Sequence, residues 1–227
     1  MLTASDITRI KTKITNALQK HANVAPARTT TLLPIKSLQG KLYEADILAQ
    51  VCEKLVTKEG HRVRLKGGSR LILKQKGGVI DRGYPFFEVL HGTTIIAELF
   101  TDIYFATLSY FIKGSSARKV HGDYHELDIA LLLPNLNGYP RPEDILLAIE
   151  CKNTSIKKSI IREVLGFRRE LSFYSNIPQA TIFSVWPSNQ TNSNPSSIHM
   201  LYCSDRRISR YTANCLQFGI VLQFYKM

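Results

Sequence analysis

An acid and an amine flank a cysteine at positions 150 to 152, where their types and spacing could do chemistry. Glu150 and Lys152 end an apolar run over residues 145–149, and a short bounded run of that kind is typical of a buried strand. Because side chains alternate along a strand, both charges project to one face and Cys151 to the other. A buried charge costs several kcal/mol unless it is paired, solvated or bound to a metal ion.

A second carboxylate stands at the start of another apolar run. Asp128 directly precedes residues 129–133, and it lies beside the end of the Glu150 strand if the two strands are antiparallel. Two carboxylates repel each other unless a hard cation bridges them, and oxygen atoms are the ligands that Mg²⁺ prefers. Lys152 could then orient or deprotonate a water molecule, or neutralise charge on a phosphate. Together these groups describe metal-assisted phosphodiester hydrolysis.

Each of these residues also has a simpler interpretation. Glu150 and Lys152 could form an exposed salt bridge worth under about 1 kcal/mol. Asp128 could be a polar residue that begins a strand, and Asp123 or Glu126 could take its place. Zinc is not favoured, because no second His or Cys pair follows the nearby histidines at a usual distance.

The net charge of the chain points to a polyanionic partner. The chain contains 30 Lys and Arg against 18 Asp and Glu, which gives a net charge of +12, and nucleic acid is the first candidate for such a protein. Two groups of basic residues could contact phosphates, although a solvated charged face explains each of them as well. The first group is Arg62, Arg64, Lys66, Arg70, Lys74 and Lys76, and the second includes Lys157, Lys158 and Arg162.

Composition excludes several classes of protein. Apolar residues make up 44% of the 227 positions, which is too many for a disordered chain. The first residues are polar and acidic rather than basic and then apolar, so we expect no signal peptide. Four scattered cysteines favour reduced thiols and a cytoplasmic protein. We expect no membrane span, because the longest apolar stretch contains Glu98 and Asp102.

The hydrophobic pattern predicts an α/β fold. Three helices are expected: over the first twenty residues with a cap at Thr3 or Ser5, over residues 41–58, and from a cap at Ser155 to about residue 173. Residues 187–197 are expected to form a surface loop. Extended segments are predicted at residues 63–65, 71–73, 86–90, 93–112, 127–133, 145–152, 181–186, 198–203 and 218–224.

This arrangement resembles the PD-(D/E)XK nuclease superfamily, the fold of restriction endonucleases and Holliday-junction resolvases. The resemblance rests on Glu44 in a helix, then Asp128, then Glu150 and Lys152, and it covers residues 40–186. It implies an αβββαβ core with a mixed central sheet flanked by helices, to which an N-terminal helix and C-terminal strands are added. Residues 1–39 would form the helix and connector, and residues 40–227 a single nuclease-like domain.

The resemblance also implies a function. Asp128 and Glu150 would ligate Mg²⁺ with the backbone carbonyl of Cys151, Mn²⁺ would substitute for Mg²⁺, Lys152 would be the catalytic lysine, and Glu44 would support the site. We expect a metal-dependent endonuclease that cuts double-stranded DNA as a homodimer. One alternative is a junction resolvase or transposon-end nuclease, and another is a non-catalytic DNA-binding module on a degenerate nuclease fold. No phosphate-binding loop for ATP is present in the sequence, so ATP-driven action would need a partner ATPase; a methyltransferase or a recombinase could also work beside it.

Overall fold

Two long N-terminal helices cover one face of the protein. The computed structural model describes residues 3–29, 38–68, 76–114 and 119–227. Helix α1 (Ala4–Ala22) begins with a capping box between Thr3 and Asp6, which confirms Thr3 as the predicted cap. Helix α2 (Leu38–Thr57) starts three residues before its predicted beginning. The apolar stripe of α1 is buried in the same core as α2 and the inner face of the sheet.

A mixed seven-stranded sheet forms the centre of the α/β fold. Its strands lie in the order β1, β2, β3, β4, β5, β8, β9. The first five run antiparallel to their neighbours, whereas β8 pairs parallel to β5 and β9 parallel to β8. The strands are β1 (Arg62–Lys66), β2 (Phe86–His91), β3 (Thr94–Ala106), β4 (Tyr124–Leu132), β5 (Ile145–Lys152), β8 (Ile198–Cys203) and β9 (Ile220–Phe224).

Helices pack on both faces of this sheet. Strand residues such as Ile129 and Ile149 pack against α1 and α2. Helix α4 (Lys158–Leu171) covers the opposite face, where Ala130 and Ala148 lie in one apolar cluster and Val164 lies in another. The two short helices are α3 (Leu108–Ile112) and α5 (Thr212–Leu216). None of the helices in the described ranges is long and apolar enough to cross a bilayer.

The strand predicted at residues 181–186 is wrong. These residues are irregular, because the carboxylate of Glu59 accepts hydrogen bonds from the backbone N–H groups of Ser184, Val185 and Trp186 at 2.6–2.8 Å. A side chain thus satisfies the donors that a neighbouring strand would otherwise bind. The apolar Phe183 is buried in the core without belonging to a strand.

A small second sheet occupies part of the segment predicted as a loop. Strands β6 (Phe173–Ala180) and β7 (Gln190–Asn194) pair antiparallel, so the loop predicted over residues 187–197 is wrong for the five residues of β7. This segment is rich in Asn, Ser and Thr, residues that are more often found in turns than in strands. The composition of this segment therefore gives no indication of strand β7.

Other boundaries differ from the predictions by a few residues. Helix α4 has Lys157 rather than Ser155 at its N-cap, without a side-chain cap. The predicted extended segment 93–112 ends at Ala106, because Thr107 accepts a hydrogen bond from the backbone N–H of Tyr110 and begins α3. Strand β9 begins at Ile220 rather than at residue 218. The strand predicted at 71–73 lies outside the described residues.

Candidate metal centre

The pairing of β4 with β5 brings the two predicted carboxylates together. The strands are antiparallel, with Ile129 opposite Ile149, which confirms the pairing that the sequence analysis required. The same register continued by one residue places Asp128 beside Glu150. Oδ2 of Asp128 accepts a hydrogen bond of 2.7 Å from the backbone N–H of Cys151. The Asp128 carboxylate therefore lies against the backbone that joins Glu150 to Lys152.

A change of face along β4 explains why Asp128 can reach this position. Ile129 packs toward α1 and α2, whereas Leu127 packs in the cluster on the opposite side of the sheet. Strict alternation would put both side chains on the same side, so the strand changes face at Asp128. On the neighbouring strand β3, Asp102 stands opposite Asp128 with a left-handed φ of 51°. Two adjacent strands are thus irregular at the same level, and an aspartate lies at each irregularity.

Glu150 and Lys152 project together toward α4, as their spacing predicts. Nζ of Lys152 lies 3.4 Å from Oε2 of Glu150 and 2.9 Å from Oε1 of Glu163, a residue of α4. Glu150 is only 4% exposed, and no described atom forms a hydrogen bond with its Oε1. Cys151 points to the other face and packs against the α1–α2 core. Burial raises the pKa of its thiol, which makes the sulfur a poor nucleophile.

Glu44 joins this site from α2, in company with two residues that sequence reasoning missed. Nζ of Lys41 lies 2.6 Å from Oε2 of Glu44 and also contacts Oδ1 of Asp102. Asp102 is fully buried, and its Oδ2 has no partner in the described part of the chain. The sequence contains one signal for Asp102, which is an acid in the interior of an apolar stretch, but this position alone does not identify its partners.

Glu163 is the third residue that sequence reasoning missed. It follows Arg162 in α4 and is the only acid among the cations of the first half of that helix, which include Lys158. An isolated acid on a basic helix is an ordinary feature of a solvated surface. Its role as a partner of Lys152 depends on how α4 packs across the sheet, which spacing alone does not predict.

Burial, together with the charge of Asp128, raises the pKa of the other carboxyl groups in the site. Burial, and then the charge of Asp128, raise the pKa of Glu44 to about 7 and that of Glu150 well above its ordinary value. Burial raises the pKa of Asp102 to about 6, and the charge of Asp128 adds to that shift. Burial also raises the pKa of Asp128 itself. Asp128 is therefore the electrostatic centre that the other three carboxyl groups share.

Two lysines neutralise only part of this negative charge. Burial lowers the pKa of Lys152, but Glu150 and Glu163 more than reverse that effect, so its pKa lies above the ordinary value. Burial also lowers the pKa of Lys41, but its hydrogen bonds to Asp102 and Glu44 raise it by more, so the pKa lies above the ordinary value. Both side chains are therefore ammonium ions at neutral pH. Five carboxyl groups, Glu163 included, surround these two cations, so the cluster can accept further positive charge.

The donor atoms of the cluster suit a hard divalent cation. Asp128, Glu150 and the carbonyl group of Cys151 offer oxygen atoms only, which is the ligand set that Mg²⁺ and Mn²⁺ accept. Oε1 of Glu150, which has no partner among the described residues, is a buried acceptor for which a cation would compensate. Within the described ranges, no three His, Cys, Asp or Glu side chains already stand in a metal-binding arrangement. Binding of a cation would therefore require the carboxylates to move from the positions they occupy here.

The two predicted basic groups differ in their surroundings. On the edge strand β1, Nε of Arg64 lies 2.5 Å from Oε2 of Glu88 in β2, and Nζ of Lys66 lies 3.9 Å from Oε1 of the same residue. Arg62 of this strand donates a hydrogen bond to the backbone carbonyl of Gly92. Lys76 is exposed. Arg70 and Lys74 lie outside the described residues.

Lys157, Lys158 and Arg162 lie at the start of α4, the helix that also contains Glu163. All three are exposed, and none forms a salt bridge with another described residue. Arg162 adjoins Glu163, the partner of Lys152. This second group is therefore the one whose charges are available beside the candidate metal centre.

Comparisons with known proteins add no relative to this description. Neither the family models nor the curated proteins nor the solved structures contain a significant match to the chain. The protein is therefore described by its fold and by the residues of its site, without reference to a family. It is an α/β protein with a mixed seven-stranded sheet, in which buried carboxylates and two lysines meet where β3, β4 and β5 are irregular or end.

Proposed function

We propose that this protein is a metal-dependent DNA endonuclease with a restriction-endonuclease-like core. The order of elements supports the proposal: helix α2, the antiparallel strands β3, β4 and β5, helix α4 and the parallel strand β8 occur in this order along the chain, with β1 and β2, α3, and the β6–β7 sheet inserted between them. That order is the αβββαβ pattern of the PD-(D/E)XK nucleases. The final strand of the pattern is β8, which replaces the strand expected at residues 181–186.

The observation that carries the proposal is the meeting of Asp128, Glu150 and Lys152. An acid on one strand lies beside an acid and a lysine on the next, and the contact of Asp128 with the Cys151 backbone joins the two strands. A structural salt bridge needs one carboxylate for one lysine. Burial and the charge of Asp128 raise the pKa of the additional carboxyl groups, so that their ionised forms destabilise the folded protein, and a bound cation better explains their presence.

Each residue then has a distinct role in the reaction. Asp128, Glu150 and the Cys151 carbonyl would hold Mg²⁺, which supplies Lewis acidity and a more acidic water molecule. Lys152 retains the proton on Nζ, so it acts as a cation that orients water or neutralises charge on the scissile phosphate, rather than as a base. Glu163 holds this ammonium group in place. Glu44 supports the site from α2, and Lys41 neutralises it when no metal ion is bound.

Exposed cations beside the cluster would position the DNA. Lys157, Lys158 and Arg162 would contact backbone phosphates next to the scissile bond, and contacts of this kind give affinity without sequence information. The preference among linear duplex, branched junctions and transposon ends distinguishes the restriction-like enzyme from its nearest alternative. A second alternative, a DNA-binding module without nuclease activity, requires that Glu150 and Lys152 act only as a salt bridge.

Cleavage of supercoiled plasmid tests the proposal. Wild-type protein should nick or linearise plasmid in Mg²⁺ or Mn²⁺ and not in EDTA, and Glu150→Ala and Lys152→Ala should each lower the rate at least about 100-fold. Glu143→Ala is the matched control, because Glu143 is exposed and pairs only with Arg141 in the described chain. Full activity of both site variants would reject the site. DNA binding without cleavage of plasmid, junction or single strand would favour the binding module.

A further inference from the structure

One buried arginine of this protein has no acidic partner. Arg168, in the last part of α4, is only 4% exposed, and no described carboxylate forms a salt bridge with it. Burial lowers the pKa of its guanidinium group to about 9, so the group still carries a positive charge at neutral pH. A buried charge without a counter-charge is strongly unfavourable. Its presence therefore calls for a specific explanation.

The surrounding residues hold this guanidinium group in a fixed position. It donates hydrogen bonds to the backbone carbonyls of Phe218 and Ser197 at 2.9 and 2.8 Å, and to the hydroxyl groups of Ser197 and Thr191 at 3.1 and 3.4 Å. A Cβ at Gly219 would lie only 2.9 Å from Nη2 of Arg168. All of these acceptors are neutral oxygen atoms, so they orient the charge without cancelling it. These bonds use all but one of the N–H groups of an arginine, and the remaining one, on Nη1, has no acceptor among the described residues.

A second buried polar group lies close to Arg168 without a partner. Ser172 directly follows α4, and its backbone N–H donates a hydrogen bond of 3.2 Å to the carbonyl of Arg168. The residue is 4% exposed, and its Oγ forms no hydrogen bond with any described atom. A buried hydroxyl group without a partner is rare. Ser172 and Arg168 border the same cavity, so a cation and an unused hydroxyl group belong to one wall.

This cavity has the size and lining of a small-molecule site. It lies between α3, α4 and the β6–β7 sheet, and its volume of about 730 Å³ is within the range of roughly 300–1,000 Å³ that is usual for ligand pockets. Its apolar and aromatic walls are formed by Leu108, Ile112, Leu165, Phe173, Tyr174 and Phe218. Arg169 adds a second cation, whereas the carboxylate of Glu170 accepts a hydrogen bond of 3.0 Å from the backbone N–H of Ser109. The lining therefore has an excess of positive charge.

We infer that this cavity binds a small organic carboxylate with an apolar or aromatic body. The carboxylate would supply the counter-charge that Arg168 lacks. The remaining N–H of Nη1 and the hydroxyl group of Ser172 are two donors for its two oxygen atoms. Phe173 and Phe218 would contact the apolar body of the ligand. A phosphate monoester matches less well, because its charge of about −1.5 to −2 and its additional oxygen atoms would lack partners.

DNA is a poorer match to the same cavity. The phosphates of a duplex lie on its outer backbone, whereas Arg168 and Ser172 are both buried. DNA is therefore an outcome that the experiment must distinguish. The cavity shares no residue with the candidate metal centre, so the inference does not depend on nuclease activity and can be tested in EDTA.

Titration calorimetry of the full chain tests the site with matched acids and alcohols. Wild type should bind cinnamate at least about ten-fold more tightly than cinnamyl alcohol, which has the same body without the charge, because hydrogen bonds to charged groups are the stronger ones. Ser172→Ala should weaken binding of cinnamate roughly ten-fold and leave that of the alcohol unchanged. Its melting temperature should not fall, since the lost hydroxyl group has no partner in the described chain. Arg206→Gln is the matched control, because Arg206 is exposed and lies outside the cavity.

Arg168→Met should abolish the preference for the acid over the alcohol. Circular dichroism checks that this variant is folded, and if it is not, Ser172→Ala decides alone. Equal affinity of wild type for acid and alcohol would overturn the inference, as would no binding of either benzoate or cinnamate at about 5 mM. Unchanged affinity for cinnamate in Ser172→Ala would also overturn it. Tighter binding of phenyl phosphate than of benzoate would reject the carboxylate, and displacement of cinnamate by duplex DNA would assign the cavity to DNA instead.

Discussion

Replacing Glu44 by glutamine should make the protein more stable at pH 8 but not at pH 4.5. Burial and the neighbouring charge of Asp128 raise the pKa of Glu44 from an ordinary 4.5 to about 7, and its side chain is only 14% exposed. Between these two pH values the folded protein keeps a proton that the unfolded chain releases. The contribution of Glu44 to stability is therefore complete below pH 4.5 and is lost as the pH rises through 7.

The size of the effect follows from the interval between the two pKa values. At about 1.4 kcal/mol for each pH unit, the free energy of unfolding of wild type should fall by about 3 kcal/mol relative to Glu44→Gln between pH 4.5 and 8. Glutamine keeps the shape and the hydrogen-bonding oxygen of the side chain without its charge. Lys41 keeps its contact with Asp102 in the variant, so no ammonium group is left unpaired.

Urea denaturation at pH 4.5, 6 and 8 in EDTA provides the assay, with both proteins measured at equal ionic strength. Glu143→Gln is the control, because it makes the same chemical change at an exposed carboxylate far from the cluster. A difference between wild type and Glu44→Gln that stays constant from pH 4.5 to 8 would refute the argument. Burial and the charge of Asp128 would then not raise the pKa of Glu44, and the electrostatic case for a cation would fail.

Three other predictions follow from the same contacts. Mg²⁺ should raise the melting temperature of wild type more at pH 8 than at pH 6, because the cation binds ionised carboxylates; an equal rise at both values would contradict this. Lys158→Ala with Arg162→Ala should lower duplex affinity and reduce the slope of log K against log salt by about 2, whereas Arg64→Ala, whose charge is paired with Glu88, should change the slope less. Glu59→Gln should cost about 1–3 kcal/mol in urea denaturation and increase proteolysis at residues 181–187, since three backbone N–H groups lose a charged acceptor; unchanged stability would show that the bonds are dispensable.

The buried strands and the long helices were predictable because their sequence patterns are strong. Strand β5 is a bounded apolar run, and α1 has both a helical period and a capping residue. Residues 181–186 have the same apolar character as β5, yet the distant Glu59 takes their backbone N–H groups. No local pattern reveals such a contact. The strand β7 was missed for the opposite reason, since its polar composition is typical of a loop.

Only the residues of the candidate site that lie on the neighbouring strands β4 and β5 could be brought together from the sequence. Alternation along β5 predicted that Glu150 and Lys152 share a face, and an assumed antiparallel pairing added Asp128. Asp102 and Lys41 required knowledge of the irregular backbone in β3 and of the position of α2 against the sheet. These features arise from tertiary packing, so a single sequence gives them no spacing by which they could be recognised.

Anomalous diffraction from a crystal soaked in Mn²⁺ would show whether these carboxylates hold a divalent cation. We expect one strong anomalous peak within about 2.3 Å of carboxylate oxygens of both Asp128 and Glu150, and loss of that peak in Glu150→Ala. A well-ordered site without a peak, or a peak bound by other residues alone, would show that the carboxylates do not form a metal site.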